Sequence, residues 1–179
     1  MKAPCIIPIL FFTLLAALSV SCYDDVEIAN EQDVYFEIHY VNQAWGNQFK
    51  GFLINKDGQV RTYDKPANWN DIELKSKLSK AEMDANVSQT TVSSTQITAA
   101  DLDKYADASR KITGDDFTKP VNGGADLGIT RFYAYTYDAN TKTYSAILLR
   151  QIGNVIIQNQ DANAKEVADW LTKVMDEVY

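Results

Sequence analysis

Gly51-Phe52-Leu53-Ile54-Asn55-Lys56-Asp57-Gly58-Gln59-Val60-Arg61-Thr62-Tyr63 is the stretch on which the fold turns. Two runs of strand-forming side chains flank Lys56-Asp57-Gly58, and Asp-Gly between such runs is a strong hairpin signal. Upstream, Val34, Phe36, Ile38 and Tyr40 alternate with Tyr35, Glu37, His39 and Val41, the period of a strand with both faces partly covered. Downstream, Ile129–Tyr137 and Thr143–Arg150 flank Asp138-Ala139-Asn140-Thr141-Lys142 as a second hairpin. Ile152-Gly153-Asn154 then turns the chain into Val155-Ile156-Ile157, a short apolar run that predicts a central strand.

Between these β regions the grammar changes. Leu78-Ser79-Lys80-Ala81-Glu82-Met83 and Ile97-Thr98-Ala99-Ala100-Asp101-Leu102 each set a hydroxyl at an N-cap, a carboxylate three residues on and an apolar pair around the start, so both should begin helices. The second continues through Leu102, Tyr105, Ala106 and Ile112, while the Ser/Thr-rich segment 87–96 and the Gly/Pro-bearing segment 113–128 read as loops. Asp161 or Asn163 caps a last helix, where Val167, Trp170, Leu171, Val174, Met175 and Val178 recur at helical spacing. Strand runs segregated from helix runs predict an α+β fold, an antiparallel sheet of about five or six strands with helices packed on one face.

At the amino terminus Lys2 precedes an apolar run, Ile6–Leu18, that ends in Ser19 and Ser21, the form of a secretory signal. The run is shorter than the roughly 20 apolar residues a bilayer span needs, and acidic residues follow it instead of a basic flank. Ser19-Val20-Ser21 also satisfies the small-x-small rule of ordinary secretion; the cysteine at the boundary decides between the two. Leu18-Ser19-Val20-Ser21-Cys22 resembles the bacterial lipobox, with leucine four residues before the cysteine instead of three. The resemblance implies cleavage before Cys22, acylation of its sulfur and partnership with a membrane through that anchor. Tyr23, Asp24, Asp25 and Glu27 resemble the acidic tag of surface lipoproteins in Bacteroidetes-type bacteria, which implies an outer-membrane or cell-surface location. The segments Tyr40–Gly46, Phe52–Asp64 and Arg131–Tyr144 are also similar to small surface lipoproteins of such bacteria, a resemblance that implies no particular activity. The chain therefore divides into a signal peptide (1–21), a lipidated tether (22–32), polar and without period, and one domain (33–179).

Seventeen basic against 24 acidic residues give a net charge of −7, and the leader takes one of the basic residues, Lys2, with it. Such a surface repels nucleic acid. Of the two cysteines, Cys5 leaves with the leader and Cys22 takes the lipid, so the mature domain has no disulfide and no free thiol. His39 is the only histidine; placed in a strand beside Glu37, it reads as a structural residue bonded to a neighbour. A nucleophilic triad or a transition-metal site lacks its residues, so no catalytic residue, metal or cofactor is expected. Asp115-Asp116 reads as a solvated loop; Asp-Ala-Asn at 84–86, 138–140 and 161–163 lacks the ligand run of a calcium loop; and Gly123-Gly124 lacks the ending of a phosphate loop.

Aromatic content rises above this background, with 10 Tyr, 7 Phe and 3 Trp. Arg131, Tyr133, Tyr135 and Tyr137 share one strand face. Left open, that face is a platform for stacking on a sugar ring or a peptide; under a helix, it is core. The other candidate is Asn42-Gln43-Ala44-Trp45-Gly46-Asn47-Gln48, where Asn42 and Asn47 flank an indole, against a plain role of Trp45 as a plug at the sheet edge. The leading expectation is a non-catalytic, surface-anchored binding module for a glycan or a protein. An inhibitor of a secreted protease and a glycoside hydrolase working through two carboxylates are the alternatives, the last requiring only two suitably spaced acids.

Overall fold

A computed structural model describes residues 31–179 of the chain, and the signal, the lipobox and most of the tether lie outside it. The described residues form an α+β unit built on one antiparallel sheet. Its middle strand is β1 (Val34–Asn42), paired on one side with β2 (Gln48–Asn55) and on the other with β7 (Ile129–Asp138). The hairpin at Asp57-Gly58 forms as its sequence dictates: Gly58 takes a φ of 72°, and Asn55 Oδ1 accepts from the backbone N–H groups of Asp57 (3.1 Å) and Gln59 (2.8 Å). It joins β2 to β3 (Gln59–Asp64), beyond which lies β5 (Thr91–Gln96). On the far side β7 continues to β8 (Thr143–Gly153), then β9 (Val155–Gln158) and β6 (Val121–Asn122), while β4 (Leu78–Ser79) pairs with the start of β8.

The sheet thus has nine strands, more than the five or six expected. The three extra ones, β4, β5 and β6, are short segments with little or no alternation of their own, ordered by the neighbour they pair with. Segment 91–96, expected to be loop, is a strand because the outer side of β3 is open to it. The run at 155 lies next to the sheet's end, not at its centre, and Ile156 is 40 % exposed.

Period-two alternation sends Phe36 and Ile38 of β1 to one face, and Glu37 and His39 to the other. On the first face, Phe36, Phe52, Ile54, Val60, Phe132 and Leu149 pack beneath α3 (Ala99–Arg110) and α4 (Ala162–Val178). Trp170 of α4 meets Phe36 edge-on at 5.1 Å and stacks on Tyr105 of α3 at 4.2 Å. Both helices start where their caps demand, with Thr98 Oγ1 accepting from Asp101 N and Asp161 Oδ1 from Asn163 N and Ala164 N.

The second face is covered as well, which corrects the expectation of helices on one side only. α1 (Ile72–Lys75) and α2 (Lys80–Ser88) lay Ile72, Met83 and Val87, with Trp69 and Leu78, over Leu53, Tyr133, Tyr135 and Tyr144. Ser79 and Glu82 form the full capping box that starts α2. α1 is a single turn, too short to display a period, and α2 buries only Met83 and Asn86, so neither carries an apolar stripe that announces a second layer.

Candidate functional site

The second face has a polar interior. Glu37, 2 % exposed, accepts at Oε1 from Tyr63 Oη (2.7 Å) and at Oε2 from Tyr135 Oη in a shorter bond. Tyr63 reaches it across β2 because the intervening position is Gly51, where a Cβ would lie 2.6 Å from that hydroxyl. Burial pushes the Glu37 carboxyl above its ordinary range, with His39 and the two hydroxyls opposing. Burial, reinforced by Glu37, holds both phenols far above theirs. His39 is 1 % exposed, and its Nε2 has no hydrogen-bond partner among the described residues, unlike the bonded side chain expected; its ring instead meets Phe49 edge-on at 4.7 Å. Sealed from solvent, Glu37 and His39 serve the core.

The tyrosine row of β7 runs from this interior to the surface. Tyr135 and Tyr133 are 3 % and 5 % exposed, so the open stacking platform is absent: α1, α2 and Trp69 lie over it. Tyr137, at the rim, donates to Glu31 at 3.4 Å. At the other end the cover stops at Glu73 of α1. Glu73 Oε1 accepts from Tyr133 Oη in a short bond and pairs with Arg131 Nε at 2.5 Å, while the same Nε donates to Gln151 Oε1 at 2.9 Å. Burial and the Glu73 carboxylate raise the Tyr133 phenol well above the usual range.

Where the cover ends a cleft of about 400 Å³ opens, lined by Gln43, Ala44, Asp71, Glu73, Arg131 and Asn154. Four segments converge on it: the β1–β2 loop, the start of α1, the start of β7 and the turn before β9. Asn42 lies at its edge but is 5 % exposed, and its polar atoms are committed. Nδ2 donates to Tyr40 Oη and the Asp126 carbonyl, both at 3.0 Å, and Oδ1 accepts from Ala44 N at 2.9 Å. It braces the loop from within and offers nothing to a ligand.

The loop so braced carries Trp45, 71 % exposed. The indole plugs no sheet edge. Asn47 is also exposed and lines a separate recess of about 470 Å³ with Phe49, Lys65, Pro66 and Trp69. The structure therefore keeps Trp45 and Asn47 at the surface, withdraws Asn42, Tyr133 and Tyr135, and adds Asp71, Glu73 and Asn154. Of these only Asp71 had a local sign, as a capping residue ahead of Ile72, and one helical turn is too little to read.

Among the described residues no group of three or more His, Cys, Asp or Glu side chains is placed to hold a metal ion, and no helix is long and apolar enough to cross a membrane. Comparison with protein-family models, with curated proteins and with solved structures finds no match, so the site is read from its own geometry.

Proposed function

We propose that the protein is a non-catalytic binding module, anchored by lipid on Cys22 to the outer surface of a bacterium, that takes a glycan or a protein segment on the loop around Trp45. The observation that carries this is an indole 71 % exposed on a loop at whose base Asn42 makes three hydrogen bonds, donating to Tyr40 Oη and the Asp126 carbonyl and accepting from Ala44 N. A large, stiff ring held in place loses little conformational freedom on binding, and stacking adds about 0.5–1.5 kcal/mol to the area it buries. The acidic tether after Cys22 supplies the spacing between membrane and domain.

The test uses the full-length protein in a non-glycosidic detergent on an array of glycans and mucin-type glycoproteins, beside a hydrolase screen and a panel of secreted proteases. Trp45→Ala is expected to weaken array binding by about 0.5–2 kcal/mol with no change in thermal midpoint. Product release abolished by Glu73→Gln would replace this reading with the hydrolase. Silence on the array together with protease inhibition would replace it with the inhibitor.

A further inference from the structure

Resting on that reading, we infer that the cleft beside Trp45 takes a neutral hexopyranose, reading adjacent ring hydroxyls with Asp71, Glu73 and Arg131, and rejects sugar acids. Four of the cleft's polar side chains, Asp71, Glu73, Arg131 and Asn154, are held in place yet only half used. Glu73 commits Oε1 to Tyr133 and Arg131, and Asp71 commits Oδ1 to the backbone N–H of Glu73 at 2.8 Å. Arg131 is fixed through Nε alone, and Asn154 through Oδ1, which accepts from Leu127 N at 2.8 Å. Among the described residues the second carboxylate oxygens of Asp71 and Glu73, both Nη groups of Arg131, the Asn154 amide NH2 and the Gln43 amide carry no hydrogen bond. Acceptors and donors therefore line one cleft, and those of Asp71, Glu73, Arg131 and Asn154 are already oriented, which lowers the ordering cost of binding.

That set selects by charge. Two carboxylates against one guanidinium leave the cleft net negative on a chain of net charge −7, so a uronate or sulfated sugar meets repulsion. A lysine or arginine side chain meets Arg131, which already pairs with Glu73 in the same cleft, and this opposes a basic peptide. A ligand without charge but rich in hydroxyls satisfies both: each hydroxyl donates to a carboxylate oxygen while its own oxygen accepts from the guanidinium or an amide. At about 400 Å³ the cleft is near the small end of the roughly 300–1,000 Å³ range of ligand pockets. Ala44 in its wall is followed directly by the exposed Trp45, so a saccharide longer than one ring has an indole on the adjoining residue against which the apolar face of a second ring can stack.

Titration calorimetry of the full-length protein, in the same detergent, with neutral hexose oligosaccharides, hexuronate oligomers of equal length and a lysine-rich peptide tests the inference. The wild type is expected to bind at least one neutral oligomer tenfold or more tightly over the uronates and the peptide. Asp71→Asn keeps the α1 cap, since asparagine caps as well as aspartate, and removes one charge; it is expected to narrow the neutral-to-uronate ratio at least threefold. Gln43→Ala is expected to weaken neutral binding severalfold, with thermal midpoints of both variants unchanged. Uronate or peptide binding as tight as neutral binding overturns the inference, as does neutral binding indifferent to both cleft variants. If Trp45→Ala weakens saccharide binding while the cleft variants do not, the loop reading stands and the cleft inference falls. If no saccharide binds, the cleft inference falls and the loop reading is left with a protein segment as its ligand.

Discussion

Glu37 shows how much one residue's role depends on what folds over it. In the sequence it is the polar member of an alternating strand; in the molecule it is a sealed carboxyl whose two oxygens hold Tyr63 and Tyr135. Burial raises its folded-state pKa above the ordinary 4.5, so its contribution is fully present below that value and is lost as pH rises through the raised folded pKa. Asp33 has the opposite sign: partial burial opposes it, but Lys56 (2.7 Å) and Lys80 hold its carboxyl below the ordinary 3.8, so its contribution is present above that value and is lost on further acidification. The two windows do not overlap. Glu37→Gln preserves shape and stays neutral, so the wild type is expected to lose stability relative to the variant as pH rises from about 4.5, at up to about 1.4 kcal/mol per pH unit. Denaturant midpoints of both proteins between pH 4 and 8 check this, and a constant difference would show that Glu37 does not titrate in that range.

Elements with their own signature were legible at once. The Asp57-Gly58 hairpin, the caps at Thr98 and Asp161 and the Ser79/Glu82 box depend on contacts within a few residues, and each stands where its residues put it. The stripe of α4 also translates directly into burial of Val167, Trp170, Leu171 and Val174. Trp170, 8 % exposed between Phe36 and Tyr105, joins that helix to both β1 and α3. Trp170→Ala is expected to cost about 3–5 kcal/mol, read as a fall in the denaturant midpoint at unchanged m-value. An unmoved midpoint would mean that α4 is not needed to close the core. By contrast β5, β6 and α1 have no stripe and no turn motif that specifies them, and only their partners make them regular.

At the scale of the molecule, helices over both faces of the sheet close those faces, whereas the Trp45 loop and its cleft lie at the ends of strands and stay open. In the proposed reading, display outside the cell depends on Cys22, whose sulfur would form the thioether to lipid. Cys22→Ala is therefore expected to abolish incorporation of labelled fatty acid and to release the protein from membranes, and wild-type labelling of the variant would remove the anchored reading. Sequence alone determined what depends on neighbours in the chain: the α+β class, the two principal hairpins, the caps and the stripe of α4. The tertiary structure decided which surfaces remain open. A strand's alternation states that two faces differ but not what will cover each, so the same row of tyrosines reads as platform or core until α1 and α2 are in place. The Trp45 loop reads as plug or display until Asn42 is seen turned inward. The cleft joins residues from four distant segments, Gln43, Glu73, Arg131 and Asn154, whose proximity follows from long-range strand pairing, and no local spacing encodes it.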